Sequence, residues 1–203
     1  MWKMMAMDST MAIFDAEITV LDYETTGTLR GFANEPWQIG MVSLKNGKID
    51  VESLFESFLR VDINRPFNPH APGRHARLRD EIAQAPTPHE LWPRIMRRIT
   101  DNPLCAHNVA TEKTVTRAMA PMHRFGIWID TLHVARKVWP GCSSYALEDL
   151  IAMLDLKARV DRVCPGREAH DALYDAVASA ALLEHLLEHP EWCKVRVYEL
   201  ASL

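Results

Sequence analysis

The chain has no apolar run near the ~18 residues that a membrane-crossing helix requires, so no membrane partner is expected. Cysteine is scarce. Cys105, Cys142, Cys164 and Cys193 are the full set, and no two form a C-x-x-C pair, which argues against a zinc ribbon. Unpaired thiols suit a reducing compartment, and a cytoplasmic location is expected. Positive charge is not in excess: 23 Lys and Arg against 27 Asp and Glu give a net charge of -4. That balance excludes a protein that coats nucleic acid, yet leaves room for an enzyme that grips a few nucleotides. Internal repeats and low-complexity segments are absent. The Met-rich opening is interrupted by Asp8 before an apolar core develops, so it makes a poor signal peptide.

What is there is ordinary in bulk and unusual in one place. The 203 residues, 48% of them hydrophobic, predict one globular domain. A chain of this length buries roughly 70% of the surface that its unfolded form exposes, enough for a core without staples. The unusual place is Ile18-Thr-Val-Leu-Asp22-Tyr-Glu24-Thr-Thr-Gly27. It reads as a buried strand ending in two carboxylates and then a turn. Asp22 and Glu24 are two apart, so an extended backbone points both to one face. Two like charges that lose hydration together are costly unless a cation lies between them. Gly27 lets the chain turn away, or lets a ligand come close to the backbone.

Three strands are expected first: the one bearing Asp22, then Trp37–Leu44, then Ile49–Val61, with Asn46-Gly47 as the hairpin turn. The prolines at 66, 69 and 72 make the next stretch irregular. A short helix is expected over His75–Ile82 and a longer one over His89–Thr100. Leu104–Ala106 and Ile127–Ile129 read as short strands, with a helix from Thr111 to about Phe125 between them. Helices follow at 132–138 and about 146–154. After a loop around Cys164-Pro-Gly166, a last long helix runs to His189, where Pro190 stops it. Late strands separated by helices should run parallel. The expected class is α/β, with helices flanking a mixed five-stranded sheet whose first three strands are antiparallel.

Further acidic and histidine residues lie at strand and helix ends. His107-Asn108 closes a strand, and Glu112 then falls near a helix N-terminus, where negative charge is stabilised. Asp175 falls about one turn inside the last helix. His170 is five residues earlier, rotated by ~140° on a regular helix, so it belongs in the loop just before. Asp130-Thr131 reads as a helix cap.

Asp22-x-Glu24-Thr-Thr-Gly27, His107-Asn108…Glu112 and His170-x-Ala172-x-x-Asp175-Ala176 together resemble the three motifs of the DEDDh family of 3′-5′ exonucleases. Trp37-Gln-Ile-Gly40 and Tyr145-Ala-Leu147 also sit where that family has similar residues. The resemblance spans roughly Ile18 to Leu187 and implies an RNase H-like fold. It divides the chain into a loosely ordered segment at 1–16, an exonuclease domain at 17–190, and a tail at 191–203 packed on the domain. It departs in one place, where Thr111-Glu112 replaces the family's aromatic and Asp.

The resemblance implies phosphodiester hydrolysis at the 3′ end of single-stranded DNA or RNA, releasing nucleoside 5′-monophosphates. Asp22, Glu24, Asp175 and Glu112 would hold two divalent ions, and hard carboxylate oxygens suit Mg²⁺ or Mn²⁺. His170 would take a proton from the attacking water, a task matched to histidine's ordinary pKa of ~6.5. Thr25, Thr26 and Gly27 would meet the terminal nucleotide, with Asn108 as a further polar contact. Arg77, Arg79, Arg94, Arg97 and Arg98 are candidates for backbone phosphates. For His107, bonding of the loop backbone is the expected role. His185 and His189, at i,i+4, read as chance spacing rather than a metal pair. The alternative to an enzyme is an end-binding or partner-binding module whose altered second motif has cost it turnover.

Overall fold

The computed structural model describes residues 11–192 and 194–203. The Met-rich opening, 1–10, and Cys193 lie outside the described residues.

In chain order the elements are β1 (Ile18–Thr25), β2 (Pro36–Lys45), β3 (Lys48–Phe58), α1 (Arg79–Gln84), α2 (Pro88–Asp101), β4 (Leu104–Ala106), α3 (Ala110–Met119), β5 (Trp128–Asp130), α4 (Thr131–Val138), α5 (Leu147–Met153), α6 (Lys157–Val163), α7 (Ala172–Leu187) and α8 (Val197–Ala201). The strands form one sheet in the order β3-β2-β1-β4-β5. β1, β2 and β3 are antiparallel neighbours, while β4 runs parallel to β1 and β5 parallel to β4. This is the mixed sheet that the sequence predicts, with the acidic strand at its centre. Asn46 and Gly47 both have positive φ, the conformation of a tight hairpin turn.

The period of two along β1 sorts its side chains. Ile18 and Val20 face a core shared with Val42 and Leu44 of β2 and with Val177, Ala181 and Leu182 of α7. Leu21 and Tyr23 face the other core, with Ile39 and Met41 of β2 and Leu91, Ile95 and Ile99 of α2. Asp22 and Glu24 continue the first series, so they emerge on the α7 side. Helix α2 starts with a capping box: Glu90 N–H donates to Thr87 Oγ1, and Thr87 N–H donates back to the Glu90 carboxylate. Helix α7 is buried around most of its circumference, because α5 and α6 cover the side turned away from the sheet.

Several elements depart from the sequence pattern for identifiable reasons. Helix α3 stops at Met119 rather than near Phe125, because Pro121 drives Ala120 out of the helical region (φ -142°, ψ 66°). The 75–82 stretch splits into a 3-10 turn at His75–Arg77 and α1. Helix α6 forms at 157–163 although its N-cap position, Leu156, offers no side-chain cap. Residues 11–16 are not loose. Ile13 is fully buried, its N–H donates to Val195 O (2.8 Å), and Ala12 bridges Arg196. Val197 and Leu200 join the same core. The pairing of the two chain ends is a long-range contact that local sequence pattern does not announce. Among the described residues no helix is long and apolar enough to cross a membrane.

One glycine sets the distance between α7 and the sheet. Gly40 is paired with Asp22 across β1 and β2. A Cβ at Gly40 would lie 2.2 Å from the backbone of Ala172 and Leu173. The first turn of α7 therefore rests directly on the sheet beside Asp22. Gly40→Ala is expected to lower the urea midpoint at unchanged m-value by an amount worth about 1–3 kcal/mol, the usual cost of overpacking.

Candidate active site

β1 ends with Asp22 and Glu24 on the α7 face and then bends. The bend at Gly27 has φ +73°, and a Cβ there would meet Asn68 Cβ at 2.7 Å, so the position needs glycine on both counts. Asn68 N–H donates to Thr26 O (2.8 Å), which lays the 68–72 loop along the end of β1. From the other side come the N-terminal turns of α7 and α3. A cleft of about 430 Å³ opens between these parts. Asp22, Glu24, Glu112, His170 and Asp175 all line it, together with Thr25, Gly27, Asn108 and Thr111. His70, Ala71 and Pro72 of the irregular loop form one wall.

His170 lies in the loop before α7, with φ +65° and an exposed side chain. Its backbone N–H donates to Asp175 Oδ2 (2.9 Å), bringing histidine and carboxylate to one spot. Glu24, His170 and Asp175 each offer a ligand atom within 4.8 Å of the others. Glu112 is 5% exposed, and its Oε2 is the only buried carboxylate oxygen without a hydrogen-bond partner among the described residues.

Thr26 departs from the expected substrate contact. It is fully buried and does not line the cleft. Its hydroxyl accepts from Glu35 N–H (3.1 Å), and its N–H donates to Glu35 O (2.8 Å). The buried Arg65 guanidinium reaches the same hydroxyl and bonds Glu35, Ala33 and Pro66, tying two loops to the end of β1. The five candidate arginines do not line the cleft. Arg79 donates to the carbonyls of Ile63 and Arg65, Arg98 donates to Ser53 O, and Arg94 lies 5.3 Å from the centre of the Phe55 ring. His107 is bonded at both ring nitrogens, to Thr131 Oγ1 and Tyr145 O (2.9 Å each), a structural role.

Two positioning residues exceed what sequence spacing suggested. Asp171 caps α7 by accepting from Leu173 and Tyr174 N–H, and it also binds Arg167, Arg74 and Gln38. Burial pushes its carboxyl up, but these partners, Arg167 foremost, outweigh burial and leave it lowered. The N-cap identity was readable from an Asp directly before an apolar helix. The arginines that lock it were not. Asp130 caps α4 as expected, and in addition accepts from Asn108 N–H (2.9 Å) and Val109 N–H (3.2 Å). That bond fixes the approach to α3 and hence the position of Glu112.

The other carboxylates crowd. Burial, then the charges of Asp175, Glu112 and Glu24, push Asp22 well above the ordinary carboxyl range. Burial followed by Asp175, Asp171 and Glu112 raises Glu24 to about 8. Burial followed by Asp130 raises Glu112 to about 7. Burial raises Asp175 to about 6 against the opposing bond from His170 N–H. A divalent cation would offset this desolvation and repulsion, and the hard oxygen donors with an orphaned Glu112 oxygen fit such an ion.

A pH dependence follows. Each carboxyl keeps its proton to a higher pH in the folded chain than in the unfolded one. Between pH ~4 and ~8 the folded state therefore binds more protons, and stability falls as pH rises. In EDTA the melting temperature is expected to drop between pH ~5 and ~8. Millimolar Mn²⁺ should restore it most strongly at the alkaline end. A melting temperature indifferent to Mn²⁺ at pH ~8 would contradict cation binding here.

Comparison with known proteins agrees with this geometry. The RNase T family model, described as Exonuclease, matches residues 19–183. The chain is 28% identical over 185 residues to Exodeoxyribonuclease 10 of Escherichia coli (strain K12), covering 91% of this chain and 75% of that protein. It is similar to the structure of Exonuclease X in complex with 5′ overhanging duplex DNA, with TM-score 0.68, 27% identity, and coverage of 91% and 99% of the two chains. It shares its fold with S. pombe Pop2p in the Mg²⁺ and Mn²⁺ bound form, with TM-score 0.68, 13% identity, and coverage of 93% and 89%. With the family matched over most of its length and the acidic cleft in place, the chain belongs to the exonuclease family, as a 3′-5′ exonuclease of the DEDDh type.

Proposed function

We propose that this exonuclease hydrolyses the terminal phosphodiester bond at the 3′ end of single-stranded DNA or RNA and releases nucleoside 5′-monophosphates. The observation that carries the reading is the convergence of Asp22, Glu24, Glu112, Asp175 and His170 on one cleft from three separate parts of the chain. Asp22, Glu24 and Asp175, completed by Glu112, are the groups that would hold two divalent ions, Mg²⁺ or Mn²⁺. Bound there, the ions would supply an activated water and neutralise charge on the reacting phosphate.

The chain's own residues divide the remaining work. His170 is exposed at the mouth of the cleft, and its backbone is held on Asp175, so its ring is free to accept the proton of the attacking water. Thr25 and Gly27 present the bent end of β1 to the terminal nucleotide. Asn108, exposed at positive φ, faces the same cleft from the α3 side. Glu112 brings its carboxylate from the first turn of α3, where the helix N-terminus offsets part of the burial that raises its carboxyl. DNA is the first substrate to test, since Exodeoxyribonuclease 10 and Exonuclease X are the relatives at 28% and 27% identity.

The test is Mn²⁺- or Mg²⁺-dependent shortening of a 5′-labelled oligonucleotide. Asp22→Ala is expected to abolish it. Glu112→Asp withdraws the carboxylate by one methylene, a shift of order 1 Å, and is expected to lower the rate about 100-fold with little change in melting temperature. Identical behaviour of wild type and Asp22→Ala would sink the reading. Binding without metal-dependent shortening would instead select the impaired end-binding module.

A further inference from the structure

A second cleft, of about 340 Å³, is built on the same helix as the first. Thr111 and Glu112 of α3 line the acidic cleft, while Lys113 and Arg117 line the second. His123, Arg124, Phe125 and Trp128 complete it. Arg117, His123 and Arg124 are exposed. Lys113, Arg117 and Arg124 have no carboxylate partner among the described residues. They differ in this from Arg65, Arg159 and Arg167, which are paired to acids.

Two rings that pack in part against the core, Phe125 and Trp128, line the same cleft. Trp92 packs edge-on against His123 at 4.8 Å and against Phe125 at 6.4 Å between ring centres. Trp128 is held in β5. Lys113 and Arg117 are one turn apart on α3, a rise of ~6 Å, while phosphates of one strand in a duplex rise ~3.4 Å per nucleotide. Unpaired, exposed cations gathered in one cleft are an arrangement that holds a phosphodiester backbone. There is also a physical need for it. The chain carries a net charge of -4, and its proposed catalytic cleft is acidic, so neither attracts a polyanion.

We propose that this cleft binds the phosphodiester backbone of the nucleic acid whose 3′ end lies in the acidic cleft. The proposal rests on the nuclease reading of that cleft. The backbone has two sources, the strand being degraded or its complement in a duplex, and both present the same phosphates.

The test uses the full chain in EDTA with two fluorescent probes: a single-stranded DNA 20-mer, and the same strand in a duplex with a 5′ overhang. Anisotropy is followed between ~50 and ~200 mM salt. Arg117→Ala/Arg124→Ala is expected to weaken binding about tenfold and to flatten the salt slope of the single strand by about 1.4, two phosphates' worth. The charge-keeping Arg117→Lys/Arg124→Lys should retain most of both. Loss on the single strand assigns the degraded strand, and loss confined to the duplex assigns the complement. Unchanged affinity and slope on both probes would overturn the proposal.

In Mn²⁺, turnover of a dinucleotide, too short to span both clefts, should be unchanged in the alanine variant. An equal fall on that substrate would also overturn the proposal. Absence of metal-dependent shortening by wild type would remove the nuclease reading, while the binding measurements in EDTA would still decide the cleft.

Discussion

The structure depends on how closely α7 can approach the sheet. That approach, together with the Gln38–Asp171 hydrogen bond, brings Asp175 and His170 to the end of β1. The contact is backbone against backbone, at a residue without a side chain, and it leaves no room for a Cβ between α7 and the sheet. Packing interiors are stiff at this scale, so one missing Cβ sets the spacing of a whole ligand set. The rest of the α7 side follows from it. A helix resting this low on the sheet is covered in turn by α5 and α6, which is why it is apolar on most sides.

Electrostatics then explains why the same region is both unfavourable and well ordered. Asp171 is neutralised by arginines from two loops and holds the helix start. Its neighbours in the cleft have no such partners and crowd one another. The fold gives arginine partners to the carboxylate that positions and, among the described residues, none to those that would bind. Buried like charges are tolerated where a ligand is expected to complete them, and a perturbed carboxyl cluster in a cleft is a mark of function.

Much of this was legible in the sequence. A period of two puts Asp22 and Glu24 on one face whatever the partners are. Asn46-Gly47 specifies its own turn. The rotation between His170 and Asp175 on an ideal helix excludes His170 from the helix, and the loop position follows. Other features have no local signature. Thr26 looks like part of the acidic turn, yet Arg65, far along the chain, draws it inward. Arg74 lies far along the chain from Asp171 and meets it only in the assembled fold, whereas Arg167 is just four residues away. Ile13 reads as part of a loose leader until the segment at Val195 and Arg196 that bonds it is in place. Pro121 was a legible stop for α3, inside the expected helix.

The parts of the site are scattered from residue 22 to residue 175, and the first and last described segments pair across nearly the whole chain. Contacts of such sequence separation form late, since the loop entropy must be met before they stabilise anything. A chain that has reached only α3 holds the carboxylates of β1 without the residues that complete them. Assembly of the fold is thereby its own safeguard: a half-made molecule has acidic residues but no nuclease site.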